Sequence, residues 1–133
     1  MAIRIIRDAN ASLPLAIEIE QYQFAIGGIG ETSGEAVPSP HDLYDAALGA
    51  CKALTVIWTA KRSGMALERV EVTVVRDNSQ ERRGRYHLTT EVRLSGRISA
   101  AEREEILRVA SKCPIQKLMT VVETEITTVA FVT

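Results

Sequence analysis

Apolar residues recur at two spacings along this chain, and the change from one spacing to the other outlines its elements. Ile3 to Ile6 is a short β-rich stretch. From Leu15 to Phe24 the residues alternate, with Leu15, Ile17 and Ile19 on one side and Ala16, Glu18 and Glu20 on the other. That pattern predicts one half-buried strand after a turn spanning Asp8 to Pro14. Gly27, Gly28, Gly30 and Gly34 then punctuate a polar stretch reaching Pro38. With neither a Gly-Lys-Ser/Thr ending nor a dinucleotide fingerprint, this stretch reads as a flexible loop.

At Ser39-Pro40-His41-Asp42 the period lengthens to that of a helix. Ser39 can cap, Pro40 loses nothing at the first helical position, and Asp42 completes a Ser-x-x-acid box. The helix is predicted to run to about Arg62, with Gly64 closing it. Ala46, Ala47, Leu48, Ala50, Leu54, Val56, Ile57 and Trp58 leave it little polar surface. Such a helix is expected to be buried on most sides, its small residues letting the same helix of a partner chain approach. Two alternating strands, Val70 to Arg76 and Tyr86 to Leu94, form a hairpin whose turn carries Asp77, Asn78 and Gly84. Ser99-Ala100-Ala101-Glu102 is a second capping box, opening a helix that ends near Lys112-Cys113-Pro114. Val121 to Val132 reads as a last strand. The expected order is β-β-α-β-β-α-β, an α+β fold with a mainly antiparallel sheet against a long apolar helix. With 133 residues, the chain is expected to form a single domain, 1–133, or one half of an obligate dimer.

Charge narrows the partners. Sixteen basic and seventeen acidic residues give a net charge of -1, which offers no field for a polyanion, so no nucleic-acid partner is expected. Arg82-Arg83-Gly84-Arg85 is answered by Glu81 and reads as a solvated hairpin loop. No apolar run reaches the roughly 18 residues of a membrane span, and Met1 to Arg7 lacks the features of a signal peptide, so no membrane association and a cytoplasmic location are expected.

Two cysteines in such a chain leave three options: buried apolar residues, metal ligands or redox chemistry. Taken alone, Cys51 in the apolar helix and Cys113 at the end of the next one have the plainer role of small hydrophobes. No Cys-x-x-Cys is present and both histidines are remote in sequence, so no metal or other cofactor is expected. In favour of redox chemistry, Cys113 precedes Pro114 where a helix must stop, which predicts a thiol at a bend near the surface. Asp42 lies about 13 Å along the helix from Cys51, so the helix N-terminus is too far to activate that thiol and an arginine would have to be brought in by folding. Trp58 falls two turns beyond Cys51 on the same side, with core packing its plainer role.

The stretch Pro38-Ser39-Pro40-His41-Asp42-Leu43-Tyr44-Asp45-Ala46-Ala47-Leu48-Gly49-Ala50-Cys51 resembles the cysteine motif of the OsmC/Ohr family, and Ser111-Lys112-Cys113-Pro114-Ile115-Gln116-Lys117 is similar to that family's Cys-Pro motif. The resemblance runs from about Gly27 to the C-terminus. It implies an intertwined homodimer with an OsmC-like fold and thiol-dependent reduction of organic hydroperoxides, Cys51 being the peroxidatic and Cys113 the resolving cysteine. It further implies an external dithiol reductant of dihydrolipoyl or thioredoxin-like type. Family peroxidases hold the thiolate with an arginine from the N-terminal strands and a glutamate near the start of the cysteine helix. Arg4 and Arg7 are the arginines that precede the helix here, and Asp42 or His41 stands in the glutamate's place. The alternative is a non-catalytic dimer of the same scaffold that binds a small hydrophobic ligand or a partner.

Overall fold

A computed structural model of the chain describes residues 2–8, 15–27 and 37–132. Most of the turn expected from Asp8 to Pro14, and the loop glycines Gly28, Gly30 and Gly34, lie outside the described residues. The chain divides into two compact units, Met1–Ala46 and Ala47–Thr133.

The first unit carries a three-stranded antiparallel sheet in the order β1 (Ile3–Ile6), β2 (Leu15–Ile19), β3 (Tyr22–Ile26). The alternation predicts one strand from Leu15 to Phe24, whereas the chain reverses at Glu20, which holds φ at 53°. No glycine or asparagine marks that left-handed position; the trace of the turn in the sequence is a change of phase, the large apolar residues falling at odd positions up to Ile19 and at even ones from Tyr22. Ile5 faces Ile17, which faces Phe24, and Ile3 faces Ile19, which faces Tyr22. These rows make one face of the sheet apolar. Ile3, Ile5 and Tyr22 are nonetheless exposed.

Helix α1 (Pro40–Arg62) starts where the sequence predicts. The Ser39 N–H donates to Asp42 Oδ2 at 2.9 Å and the Asp42 N–H donates to Ser39 Oγ at 3.1 Å, a reciprocal cap on the orphan donors of the first turn. It ends at Gly64, whose φ of 65° suits a residue without Cβ. The Gly64 N–H donates to the Lys61 carbonyl and the Met65 N–H to the Ala60 carbonyl, the paired bonds of a Schellman stop.

In the second unit, β4 (Ala66–Asp77) and β5 (His87–Arg97) form an antiparallel hairpin with Val70 opposite Leu94 and Val72 opposite Val92. A short 3₁₀ turn, Glu81–Arg83, sits in the connection. Helix α2 (Ala100–Ala110) opens with the expected capping box of Ser99 and Glu102. The core forms where Val56 of α1 meets Ile106 and Ala110 of α2, with Met65, Leu67, Val70, Val92, Leu94 and Ile98 packed around them. Along α1, Leu48, Lys52, Val56, Thr59 and Ala60 are buried, which is one stripe at helical spacing. The opposite stripe, expected to be covered, leaves Leu54 and Trp58 more than half exposed within one chain.

Two further expectations fail. Pro114 does more than end α2: it occupies the first turn of another helix, α3 (Pro114–Thr120), where a proline is well accommodated. The strand expected over Val121 to Val132 does not form. The Val121 and Val122 N–H groups donate to the Lys117 carbonyl and close α3, and residues 123–132 join no strand among the described residues. Ile126, Val129 and Phe131 are exposed there, β-prone residues that pair with neither sheet. Among the described residues the order is β-β-β-α-β-β-α-α, an α+β arrangement with two antiparallel sheets of three and two strands instead of one.

Candidate functional site

Cys51 lies in the middle of α1 and is partly exposed; Cys113 is wholly buried, and both are free thiols. The expectation of a Cys113 thiol near the surface is therefore wrong. Pro114 holds Cys113 in an extended conformation, φ -64° and ψ 152°, as a residue before proline prefers. The bend this makes is enclosed between α2 and α3 instead of projecting into water.

A buried cation ties this bend to α1. Lys52, 4% exposed, donates from Nζ to the carbonyl of Ala110 at 2.8 Å and to Oε1 of Gln116 at 2.5 Å. Ala110 closes α2 and Gln116 belongs to the first turn of α3, so the residue next to Cys51 grips both flanks of Cys113. Lys52 is not among the site residues expected from the sequence. Its place in the stripe Leu48–Lys52–Val56 was the available signal, because a lysine on a buried face needs partners.

Cys51 opens onto an apolar groove of about 780 Å³, whose walls include Ala50, Leu54, Trp58, Lys61 and Pro114. The groove thus borders both cysteine motifs, since Pro114 directly succeeds Cys113. Trp58, expected in the core, is 61% exposed and lines this groove, with the Arg62 guanidinium 4.8 Å from its ring centroid. The Thr55 hydroxyl donates to the Cys51 carbonyl at 2.8 Å.

The remaining predicted site residues belong to the first unit. Arg4 donates from Nη1 to Oε2 of Glu18 at 3.1 Å, its neighbour across the sheet. Arg7 is exposed just beyond β1, His41 is half-buried in the first turn of α1, and the Asp42 carboxylate serves the helix cap. Among the described residues no group of three or more His, Cys, Asp or Glu side chains could hold a metal ion, and no helix is long and apolar enough to cross a membrane.

A helix that presents one thiol to an apolar groove, clasped beside a helix junction that buries a second thiol, defines a class of small α+β thiol proteins. Comparison with known proteins gives the class its family. Residues 32–128 match the model of the OsmC-like proteins, and the chain belongs to that family. The fold is similar to that of an OsmC-like protein from Mycoplasma pneumoniae (17% identity, TM-score 0.73, 91% of this chain and 87% of that one). It is also similar to the organic hydroperoxide resistance protein OhrB of Bacillus subtilis (16% identity, TM-score 0.58, 91% and 92%). A third likeness is a putative organic hydroperoxide resistance protein from Vibrio cholerae with captopril bound in one of its active sites (18% identity, TM-score 0.60, 91% and 85%). No curated protein sequence matches the chain. Family and paired cysteine motifs together support a redox role in general.

Proposed function

We propose that the chain is a thiol peroxidase that reduces organic hydroperoxides through Cys51 and Cys113. The observation that carries this reading is the groove: it is apolar, it exposes Cys51, and its wall continues into the Cys113-Pro114 junction. A hydroperoxide with an apolar body would fill it. The Cys51 sulfur attacks the terminal peroxide oxygen, the O–O bond breaks, and the products are an alcohol and a Cys51 sulfenic acid. Cys113 then condenses with that acid, releasing water and leaving a disulfide, which an external dithiol of dihydrolipoyl or thioredoxin-like type returns to two thiols. The role is antioxidant and belongs to a stress response.

In this reading the chain acts as one domain within an intertwined homodimer. Supporting this, the first sheet, α1 and residues 123–132 all leave large apolar side chains in water within a single chain, Leu54 and Phe131 among them. A second copy would cover them, with residues 123–132 adding a strand to a sheet edge. Arg4, Arg7 and Asp42 remain the proposed activating groups.

One observation favours the non-catalytic reading: Arg4 is paired with Glu18 and Asp42 with the Ser39 cap, so both have other work. Incubating reduced protein with cumene hydroperoxide separates the two. A peroxidase loses two thiols per chain and forms Cys51-Cys113; thiol loss no faster than in Cys51→Ser leaves the ligand-binding dimer as the better account.

A further inference from the structure

We propose that Lys52 is a positioning residue for the thiol pair, its ammonium holding the Cys113 bend where Cys113 can meet an oxidised Cys51. The consequence for catalysis rests on the peroxidase reading, while the clasp itself is a matter of geometry.

An apolar side chain at this position of the buried stripe would pack without desolvating a charge. Lys52 instead spends its donors on two acceptors placed three residues before and three residues after Cys113. One is the carbonyl at the end of α2, a group with no partner inside its own helix and a partial negative charge that suits a cation. The other is the Gln116 amide oxygen on α3. The link between α2 and α3 is only Ser111-Lys112-Cys113, so fixing both flanks fixes Cys113. Because Lys52 is the covalent neighbour of Cys51, a single side chain sets where one sulfur lies relative to the other.

This placement matters at one step. The Cys113 sulfur attacks the Cys51 sulfur, the S–O bond of the sulfenic acid breaks, and its oxygen leaves with the Cys113 proton as water. The step demands disulfide geometry, with Cα atoms no more than about 7 Å apart. If Cys113 drifts, the sulfenic acid survives long enough to react with a second hydroperoxide, giving a sulfinic acid and another alcohol.

The test uses the whole protein and three variants, Gln116→Leu, Gln116→Glu and Lys52→Met, with two readouts. The first is the equilibrium between Cys51-Cys113 and glutathione, with no peroxide present. The second is intact mass after peroxide treatment. Gln116→Leu and Lys52→Met should each lower the equilibrium constant for the internal disulfide about tenfold or more and enrich the sulfinic product, about 32 Da heavier. Gln116→Glu keeps the acceptor and should behave as wild type, a rescue that generalised loosening would not give. Should Lys52→Met fail to fold, Gln116→Leu decides alone, since it leaves Lys52 its bond to Ala110. An unchanged disulfide equilibrium in Gln116→Leu, equal loss in Gln116→Glu, or a wild type that forms no internal disulfide in glutathione would each overturn the clasp. A wild type inert to peroxide, but with a clasp-dependent equilibrium, would defeat the peroxidase reading and leave the clasp standing.

Discussion

Gly49 sits two residues before Cys51, and a Cβ built there would come within 2.9 Å of Val74 Cγ2 on β4. A methyl on a β-branched side chain in a strand has little freedom to yield, so Gly49→Ala forces α1 and β4 apart or distorts Val74. Two terms oppose each other. Replacing glycine by alanine inside a helix is worth about 1 kcal/mol in favour of folding, and overpacking costs about 1–3 kcal/mol. The net effect should be a loss of up to about 2 kcal/mol, by itself a weak test. The next atom the new Cβ would meet is Val72 Cγ1 at 3.8 Å, an ordinary contact, so Val74→Ala removes the whole conflict. In the Val74→Ala background Gly49→Ala should therefore stabilise by about 1 kcal/mol, reversing its sign. Urea denaturation followed by circular dichroism gives the four stabilities of the cycle, at one fixed chain concentration because an oligomer's stability depends on it. If Gly49→Ala stabilises equally in both backgrounds, close approach of helix and hairpin is not what glycine serves there. The same variants bear on the site, since pushing α1 outward moves Cys51 with it.

Ile106 is fully buried between α1 and α2, so Ile106→Ala should cost about 2–5 kcal/mol in the same denaturation assay; a loss under about 1 kcal/mol would mean that the core is centred elsewhere. Ser99→Ala removes a cap that accepts from the Glu102 N–H and should cost about 1 kcal/mol, with Ser99→Asp largely restoring it. Hydrogen bonds donated by the Ser79 hydroxyl and backbone N–H hold the Asp77 carboxyl below its ordinary value of 3.8. Its folded value being depressed, the support it gives the hairpin turn is present above the unfolded value and fades as pH falls through the folded one. Carbon-detected titration should place the Asp77 midpoint below 3.8 and move it upward in Ser79→Ala, and no movement in that variant would remove the assigned cause.

Elements with explicit punctuation were legible in the sequence. Ser39, Pro40 and Asp42 fix the start of α1, Gly64 its end, and Ser99 with Glu102 the start of α2, because each answers a local demand of the backbone that residue type alone reveals. Glu20 carried no mark of its own, because a glutamate in the left-handed region is held there by the strands it joins; the turn showed only in the shift of the large apolar positions from odd at Ile19 to even at Tyr22. Pro114 misled in another way: the same ring that breaks one helix begins the next, and the choice depends on how the residues after it pack. At the site, the cysteine motifs identified both thiols, but exposure went astray for Cys113 and for Trp58. Each depends on how helices pack, a tertiary property that spacing along one helix does not contain. Lys52 was missed because its meaning lies in acceptors 58 and 64 residues away.

Trp58 is the chain's one tryptophan, and its place on the groove wall near Cys51 makes the molecule its own optical reporter. An indole largely in water, with a guanidinium over its face, emits at the red end of its range. Anything that fills the groove, a hydrophobic ligand or a second copy of the chain, would dry that ring and shift its emission to the blue. Occupancy and assembly could then be followed in unlabelled wild-type protein, and told apart because only assembly varies with the concentration of the chain itself.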